Sequence, residues 1–309
     1  MTSASVVIPS RGGAERLPRL LSALAAQDYP DWEAIVVIDG DIDGSQAVVE
    51  EYAHLPIRPI VFPENRGRVA ALNAGFAEAT GDVLIRCDDD LVPRPDFIAE
   101  HVRVSGAGDR AAVGLCLNVL PDTPYARIYG RPADAQHARD AYELPAHLRY
   151  RLWAANCSLS RALYEILGGY DSRYHAYGWE DVDFGYRLSE AGVPIELLPG
   201  LETPHYAASV TTAIRVRRAY ASGEARWLFD SIHGLGVSGP AGPTEASLWN
   251  RMVNTLADHL TDVTAQRLAR IVDGLLPVIP TFMGRKAVAA VVEASGVAGY
   301  RSANDVSRN

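Results

Sequence analysis

Short apolar runs alternate with stretches of helical period through the first ninety residues. Residues 5–9 form an apolar run that predicts a strand, and Leu17, Leu20, Leu21 and Leu24 recur at i, i+3, i+4 and i+7, the stripe of an amphipathic helix. The alternation continues with a strand over 33–38, a helix over 47–52, a strand over 57–62 and a helix over 66–79. Val83, Leu84 and Ile85 then make a run bounded by Gly81 and Pro93, which reads as a strand buried on both faces. This βαβαβαβ order predicts an α/β fold with a doubly wound, mostly parallel, twisted sheet flanked by helices.

The pattern loosens afterwards. A helix is expected over 97–104, strands over 111–117, 153–160 and 194–199, and a further helix after Gly178-Trp179. Residues 121–151 carry four prolines among scattered Tyr and His and predict an irregular binding loop or lid. From residue 212 the chain turns helical, over 212–229, 244–260, 263–276 and 284–294, with a Gly- and Pro-rich linker over 231–243. Two regions are therefore expected: 1–206, which carries the sheet, and 207–309, a mainly helical C-terminal region that could cover a substrate site or form a homodimer.

Composition narrows the function classes. The 309 residues are 48% hydrophobic, ample for a core, and the net charge of −9 argues against nucleic acid or an anionic membrane surface as partner. Lys286 is the one lysine, so any phosphate contact falls to arginine, backbone amides or a metal. Cys87, Cys116 and Cys157 are odd in number and lack CxxC spacing, which predicts reduced structural residues. No signal-peptide pattern opens the chain, and no run approaches the ~20 apolar residues of a membrane span. A cytoplasmic protein without a transmembrane segment is the expectation.

The chemistry-bearing residues cluster at predicted strand ends. Asp88, Asp89 and Asp90 follow the strand at 83–85, at the carboxyl edge where open α/β sheets bind ligands. In an extended chain Asp88 and Asp90 point one way and Asp89 the other. Like charges so close call for a cation, and a hard divalent ion such as Mg²⁺ or Mn²⁺ would also hold a diphosphate; the competing reading is a polar turn. Asp39 closes the second strand and either accepts a base N–H or caps a turn together with Asp41 and Asp43. Arg66 and Arg68 open the following helix, placed to meet a base or diphosphate, or simply to face solvent. The Gly12-Gly13 turn with Arg16 is read as a plain helix entry rather than a phosphate cradle. Further on, Asp181, Phe184, Leu188 and Ala191 share one helical face, and Asp183, Arg187 and Glu190 another. Asp181 should thus point inward at a helix N-terminus, where the dipole favours its ionised form, and Asp183 outward as a capping charge. His205, after the strand at 194–199, is a candidate metal ligand only if other ligands converge on it.

Together these pieces resemble the family 2 glycosyltransferases of the GT-A fold. The resemblance is carried by Val6-Val7-Ile8-Pro9-Ser10, Val37-Ile38-Asp39-Gly40, Asn65-Arg66-Gly67, Gly81-Asp82 leading to Asp88 and Asp90, Asn156 with Ser158 and Arg161, Gly168-Gly169-Tyr170-Asp171, and Gly178-Trp179-Glu180-Asp181. The last also resembles the acceptor segment of β-1,4-galactosyltransferases. The order holds from about Val6 to His205. It implies a nucleotide-sugar half over 1–90 and an acceptor half over 91–206. It further implies an inverting, metal-assisted transfer from a nucleotide-sugar donor, a UDP-sugar by preference, to a hydroxyl acceptor on a saccharide, lipid-linked sugar or small natural product. By the same resemblance Asp181 is the general base and Glu180 its acceptor-binding neighbour. Pro9, Asp39, Arg66, Arg68, Asp88, Asp89, Asn156 and Trp179 belong to the donor site, and Asp88, Asp90 and His205 to the metal. The chain departs from the family in having Ile38-Asp39 where paired aspartates are usual, and Arg11 where an aromatic is usual. The rival readings are a sugar-nucleotide pyrophosphorylase and a non-catalytic nucleotide-sugar-binding module.

Overall fold

A computed structural model of the chain describes residues 2–175, 177–206, 209–245 and 247–306. It divides into two compact units. The first comprises Met1–Val119, Ala138–His175 and Asp181–Ala207, and the second Leu120–His137, Ala176–Glu180 and Ala208–Asn309. The domain boundary expected after residue 206 falls on 207–208, outside the described residues.

The first unit is built on a seven-stranded sheet. Its strands are β1 (Ala4–Ser10), β2 (Trp32–Ile38), β3 (Ile57–Val61), β4 (Val83–Cys87), β5 (Ala111–Val113), β7 (Asn156–Ser160) and β8 (Ile195–Leu197), in the order β3-β2-β1-β4-β7-β5-β8. All pairings are parallel except those of β7, which runs antiparallel to both β4 and β5. The helices α1 (Leu17–Ala25), α2 (Ser45–Glu50), α3 (Arg68–Glu78) and α4 (Phe97–Ser105) follow the expected alternation. The stripe of Leu17, Leu20, Leu21 and Leu24 is fully buried together with Val6, Ile8, Val36 and Ile38 of the sheet. Burying such side chains contributes about 1.5–3 kcal/mol each, which makes this layer the anchor of the site above it.

One register detail opens the sheet where the ligand edge lies. β1 stays paired with β2 as far as Ser10↔Ile38 but leaves β4 at Val7↔Arg86. The two central strands therefore part at their carboxyl ends, the crevice that a change in strand order creates.

The strand expected over 111–117 is two strands. β5 ends at Val113, and β6 (Cys116–Asn118) pairs in parallel with β9 (Thr203–His205) in a separate two-stranded sheet. Gly114 is the joint: a Cβ there would lie 2.2 Å from the Leu201 carbonyl oxygen, so only glycine lets the chain cross at this point. The irregular loop expected over 121–151 is mostly helical. A π-helical turn (Ala126–Gly130) leads into α5 (Arg131–Glu143), and a 3₁₀ turn (Ala146–Leu152) follows. Pro132 stands where the π-helical turn passes into α5, and Pro145 directly precedes the 3₁₀ turn, so two of the prolines that suggested a loop lie in or beside helical turns instead. A short helix α6 (Arg161–Leu167), capped by the Ser160 hydroxyl, was not expected, and α7 (Glu180–Glu190) was.

The second unit is helical. α8 (Thr212–His233), α10 (Asp262–Leu275) and α11 (Thr281–Val306) pack around Val216, Ala265, Ala269, Val288 and Val291, and α9 (Leu248–Asp258) packs Val253 and Ala257 against Tyr220, Ala294 and Val297. α8 and α11 approach backbone to backbone: a Cβ on Gly299 would meet the Tyr220 carbonyl oxygen at 2.0 Å. Asp273 caps α8 by accepting from the Thr212 and Ala213 amides at 2.8 and 3.1 Å. α11 runs 26 residues, well beyond the stretch its periodicity suggested, because its apolar positions are spread around the helix rather than held to one stripe. Among the described residues no helix is long and apolar enough to cross a membrane.

Candidate active site

Strand β4 delivers an arginine into the interior just before the three aspartates. The Arg86 side chain is fully buried and donates from Nε to Asp88 Oδ1 at 2.9 Å, from Nη2 to Asp88 Oδ2 at 3.3 Å and from Nη1 to Asp181 Oδ1. Arg86 and Asp88 are two apart on the strand and so share a face; Asp181 comes to them from the first turn of α7. Burial works against the charge on Arg86, but Asp181 and Asp88 outweigh it and keep the guanidinium cationic well above its usual range. Burial likewise opposes the charge on Asp88, and Arg86 with Arg68 overcomes it, holding that carboxyl below the usual range. For Asp181 burial wins: its pKa is raised even with Arg86 and Arg68 nearby. Its second oxygen, Oδ2, makes no hydrogen bond among the described residues.

Asp90 has a different partner. The Leu91↔His205 bridge, the Tyr206 amide on the Asp90 carbonyl at 2.9 Å and the Val92 amide on the Pro204 carbonyl at 3.0 Å lay β9 beside the aspartate turn. His205 Nε2 then stands 3.1 Å from Asp90 Oδ2, while Nδ1 is 2.7 Å from Asn118 Oδ1 across the β6–β9 pair. In the tautomer with Nδ1–H donating to Asn118, the Nε2 lone pair would face the Asp90 carboxylate, an arrangement that a cation between them would stabilise. Asp90 Oδ1 is buried and has no hydrogen-bond partner, the sign of a missing electropositive neighbour. An oxygen and an imidazole nitrogen suit Mn²⁺ or Mg²⁺, with Mn²⁺ the better match. Among the described residues no group of three His, Cys, Asp or Glu converges on one point, so the remaining ligands would have to come from substrate and water.

The other expected site residues fall in several places. Asp89 does point away from its neighbours, but both its oxygens are engaged: Arg16 binds them at 2.8 and 3.1 Å and the Ser10 hydroxyl donates at 2.6 Å. It ties β1 and the start of α1 to the aspartate turn, and Arg16 stands at the entry to α1 as expected. Asp88 is held by Arg86 through both its oxygens. Asp39 accepts from the Arg66 and Gly67 amides at 2.5 and 2.9 Å, which fixes the turn before α3. The Arg66 guanidinium lies over the Phe62 ring at 4.7 Å, and Arg68 stands 3.8 Å from Asp88 Oδ2. Pro9 is buried within β1. Asn156 is consumed internally, accepting near His101 Nε2 at 3.0 Å and donating to the Leu201 carbonyl at 2.6 Å, so it positions β9 instead of meeting a ligand. Asp183 is fully buried and bonded to Arg187, not an outward capping charge: Arg187 also reaches the Leu167 and Gly169 carbonyls, folding that helix face inward. Glu180 is buried in the first turn of α7, and Trp179 donates from its indole to the Ser222 hydroxyl at 3.1 Å.

Sequence reasoning missed Arg86 and His101. An arginine closing the apolar run Val83-Leu84-Ile85, two residues before an aspartate, was the available signal for the first. His101 gave none: it is buried between Ser158 and Asn156, and burial lowers its pKa to about 3.

Comparisons with known proteins agree with this arrangement. A family model for glycosyl transferase family 2 matches residues 5–155, and one for the N-terminal domain of galactosyltransferase matches 137–210. Validoxylamine A glucosyltransferase of Streptomyces hygroscopicus subsp. jinggangensis is 30% identical over 235 residues, covering 65% of this chain and 55% of that protein. Pre-mycofactocin glycosyltransferase of Mycobacterium tuberculosis is 31% identical over 208 residues, covering 63% and 41%. The chain spans about half the length of the curated relatives it matches. Among solved structures, a mannosyltransferase from Pyrobaculum calidifontis in complex with GDP-Man and Mn²⁺ superposes with a TM-score of 0.61 at 20% identity, covering 95% of this chain and 86% of that one. The S. aureus TarS 1-349 complex with UDP-GlcNAc gives 0.54 at 15% identity, covering 99% and 91%. The strand order, the parted β1 and β4 ends with their aspartate turn, and these matches together show that residues 5–155 match glycosyl transferase family 2 and that the chain has the GT-A fold.

Proposed function

We propose that this protein is a metal-assisted, inverting glycosyltransferase that moves a sugar from a nucleoside diphosphate donor, UDP by preference, to a hydroxyl acceptor. The observation that carries it is the pairing of two unlike carboxylates at one strand end: Asp181 with a raised pKa and an unbonded oxygen, and Asp90 with an orphaned oxygen beside His205. Asp90 and His205 would hold a divalent ion, which would supply charge neutralisation for the departing diphosphate. Asp181 Oδ2 takes the proton of the acceptor hydroxyl as that oxygen attacks the anomeric carbon from the side opposite the leaving group, so configuration inverts. A raised pKa makes a carboxylate the stronger proton acceptor. Arg86 clamps Oδ1 and so fixes which oxygen does the work. Arg68, at the start of α3, reaches towards the same turn and suits a phosphate. The solved relatives hold a GDP-sugar in one case and a UDP-sugar in another, which supports a nucleotide-sugar donor of either class.

The test is release of nucleoside diphosphate from a panel of nucleotide sugars with Mn²⁺ present, together with the stereochemistry of any product. Turnover that yields an inverted glycoside supports the reading. Donor binding without hydrolysis or transfer would instead favour a binding module. Consumption of a nucleoside triphosphate would favour a pyrophosphorylase.

A further inference from the structure

The second unit holds a cavity of about 370 Å³ whose wall is a row of arginines on α8. Arg215, Arg218, Ser222 and Arg226 recur at i, i+3, i+7 and i+11, one face of the helix, with Tyr177 and Trp179 opposite. No carboxylate lines the cavity among the described residues, although the chain carries 38 acidic residues against 29 Lys and Arg. Arg218 lies over the Tyr177 ring at 5.3 Å and Arg226 over the Trp179 ring at 5.9 Å, so the rings hold the guanidinium planes in place. Arg226 is further fixed by Ser238 and the Pro240 carbonyl. Besides the Tyr177 ring, Arg218 contacts the Ser209 hydroxyl at 3.3 Å, and neither it nor Arg215 is paired with a carboxylate among the described residues. Trp179 itself is held at φ +67°, the one positive φ of a non-glycine residue among those described, by its indole bond to Ser222. A bulky residue in that region is strained, which fits a function for its placement.

We propose that this cavity is an oxyanion subsite, in which Arg215 and Arg218 hold a phosphate or carboxylate group carried by the acceptor saccharide. Arginine forks match both groups in bidentate fashion, and a volume of this order suits one charged sugar residue. The assignment to the acceptor rests on the glycosyltransferase reading. The anion site itself does not depend on that reading.

The experiment is calorimetric titration of the full chain with glycerol 3-phosphate, glucuronate and, as neutral control, glucose. The wild type should bind an anionic probe and not glucose, and the tighter anion names the class. The double substitution Arg215→Gln, Arg218→Gln should weaken binding tenfold or more, Arg218→Lys should keep part of it, and Arg103→Gln, on α4 and paired with Glu100, should leave it unchanged. Circular dichroism and the thermal midpoint confirm that each variant folds. With an acceptor bearing the preferred anion, the double variant should raise KM and leave kcat nearly unchanged. Anion binding that is absent in the wild type, unchanged in the double variant, or lost in Arg103→Gln instead would overturn the proposal. Anion binding lost in the double variant, in a protein that transfers no sugar, would keep the anion site and remove the transferase reading.

Discussion

Two carboxylate groups at the end of one sheet solve the same electrostatic problem in opposite ways. Asp88 and Asp181 share Arg86, a cation built into strand β4 and always present. Asp90 shares only a histidine and keeps a buried oxygen without a partner. The first cluster is complete as the chain folds; on the proposed function, the second would be completed by a cation. A general base must stay in one place through every turnover, so a permanent counter-charge suits it. A diphosphate must be bound and then released, so an exchangeable one suits the leaving-group side.

The comparison breaks most visibly at Asp181. The Asp181→Asn variant should keep donor affinity and lose about 10²–10⁴-fold in turnover, the usual worth of a positioned general base. Donor titration alongside a turnover assay checks it; undiminished turnover would move the base elsewhere. Next comes Arg86→Met, which strands two buried carboxylates. Stability should fall by about 3–5 kcal/mol near neutral pH, measured by denaturant unfolding. The sign of its pH dependence follows from the carboxyl groups. Without Arg86 their folded pKa values lie above the unfolded ones, so the folded variant binds extra protons and the deficit shrinks as pH falls through that window. A deficit that grows in acid would contradict the shared-cation account.

A smaller effect is expected on the exchangeable side. Asn118→Ala removes the group that orients His205 and should weaken Mn²⁺ binding about 10–100-fold, the range for such outer partners. Binding that is unchanged would mean His205 needs no orientation or ligates nothing. The smallest effect near neutral pH concerns the scaffold. Because the pKa of buried His101 is lowered from 6.5 to about 3, its unfolded form takes up a proton first. Stability should be full above pH 6.5 and decline by about 1.4 kcal/mol per pH unit below it until the pH nears 3. His101→Gln should flatten that slope in pH-dependent thermal unfolding, and an unaltered slope would assign the acid sensitivity to other groups.

The nucleotide-side sheet was legible because each of its elements is local: a leucine stripe, a short β-branched run, a glycine before and a proline after. The middle of the chain was not. Residues 111–117 look continuous, and only the approach of Leu201 to Gly114, from far along the chain, splits them. The prolines of 121–151 signalled a loop because a helix-starting proline and a loop proline look alike in sequence. At the site, the aspartates and Asp181 could be read from spacing, and the direction of Asp89 from strand alternation. Their charge partners could not. Arg86, Arg16 and His205 each reach a carboxylate through tertiary packing, which also turned Asp183 inward against the helical-face expectation. Such partners decide which carboxylate is spent and which is available, and so decide the chemistry.

The most direct test of the two-cluster account is calorimetric titration of UDP into the wild type, Asp90→Asn and Asp88→Asn proteins, each with and without Mn²⁺. The account predicts metal-dependent binding in the wild type, its loss in Asp90→Asn and its retention in Asp88→Asn. Loss in Asp88→Asn with retention in Asp90→Asn would place the exchangeable cation on the wrong cluster and contradict the account.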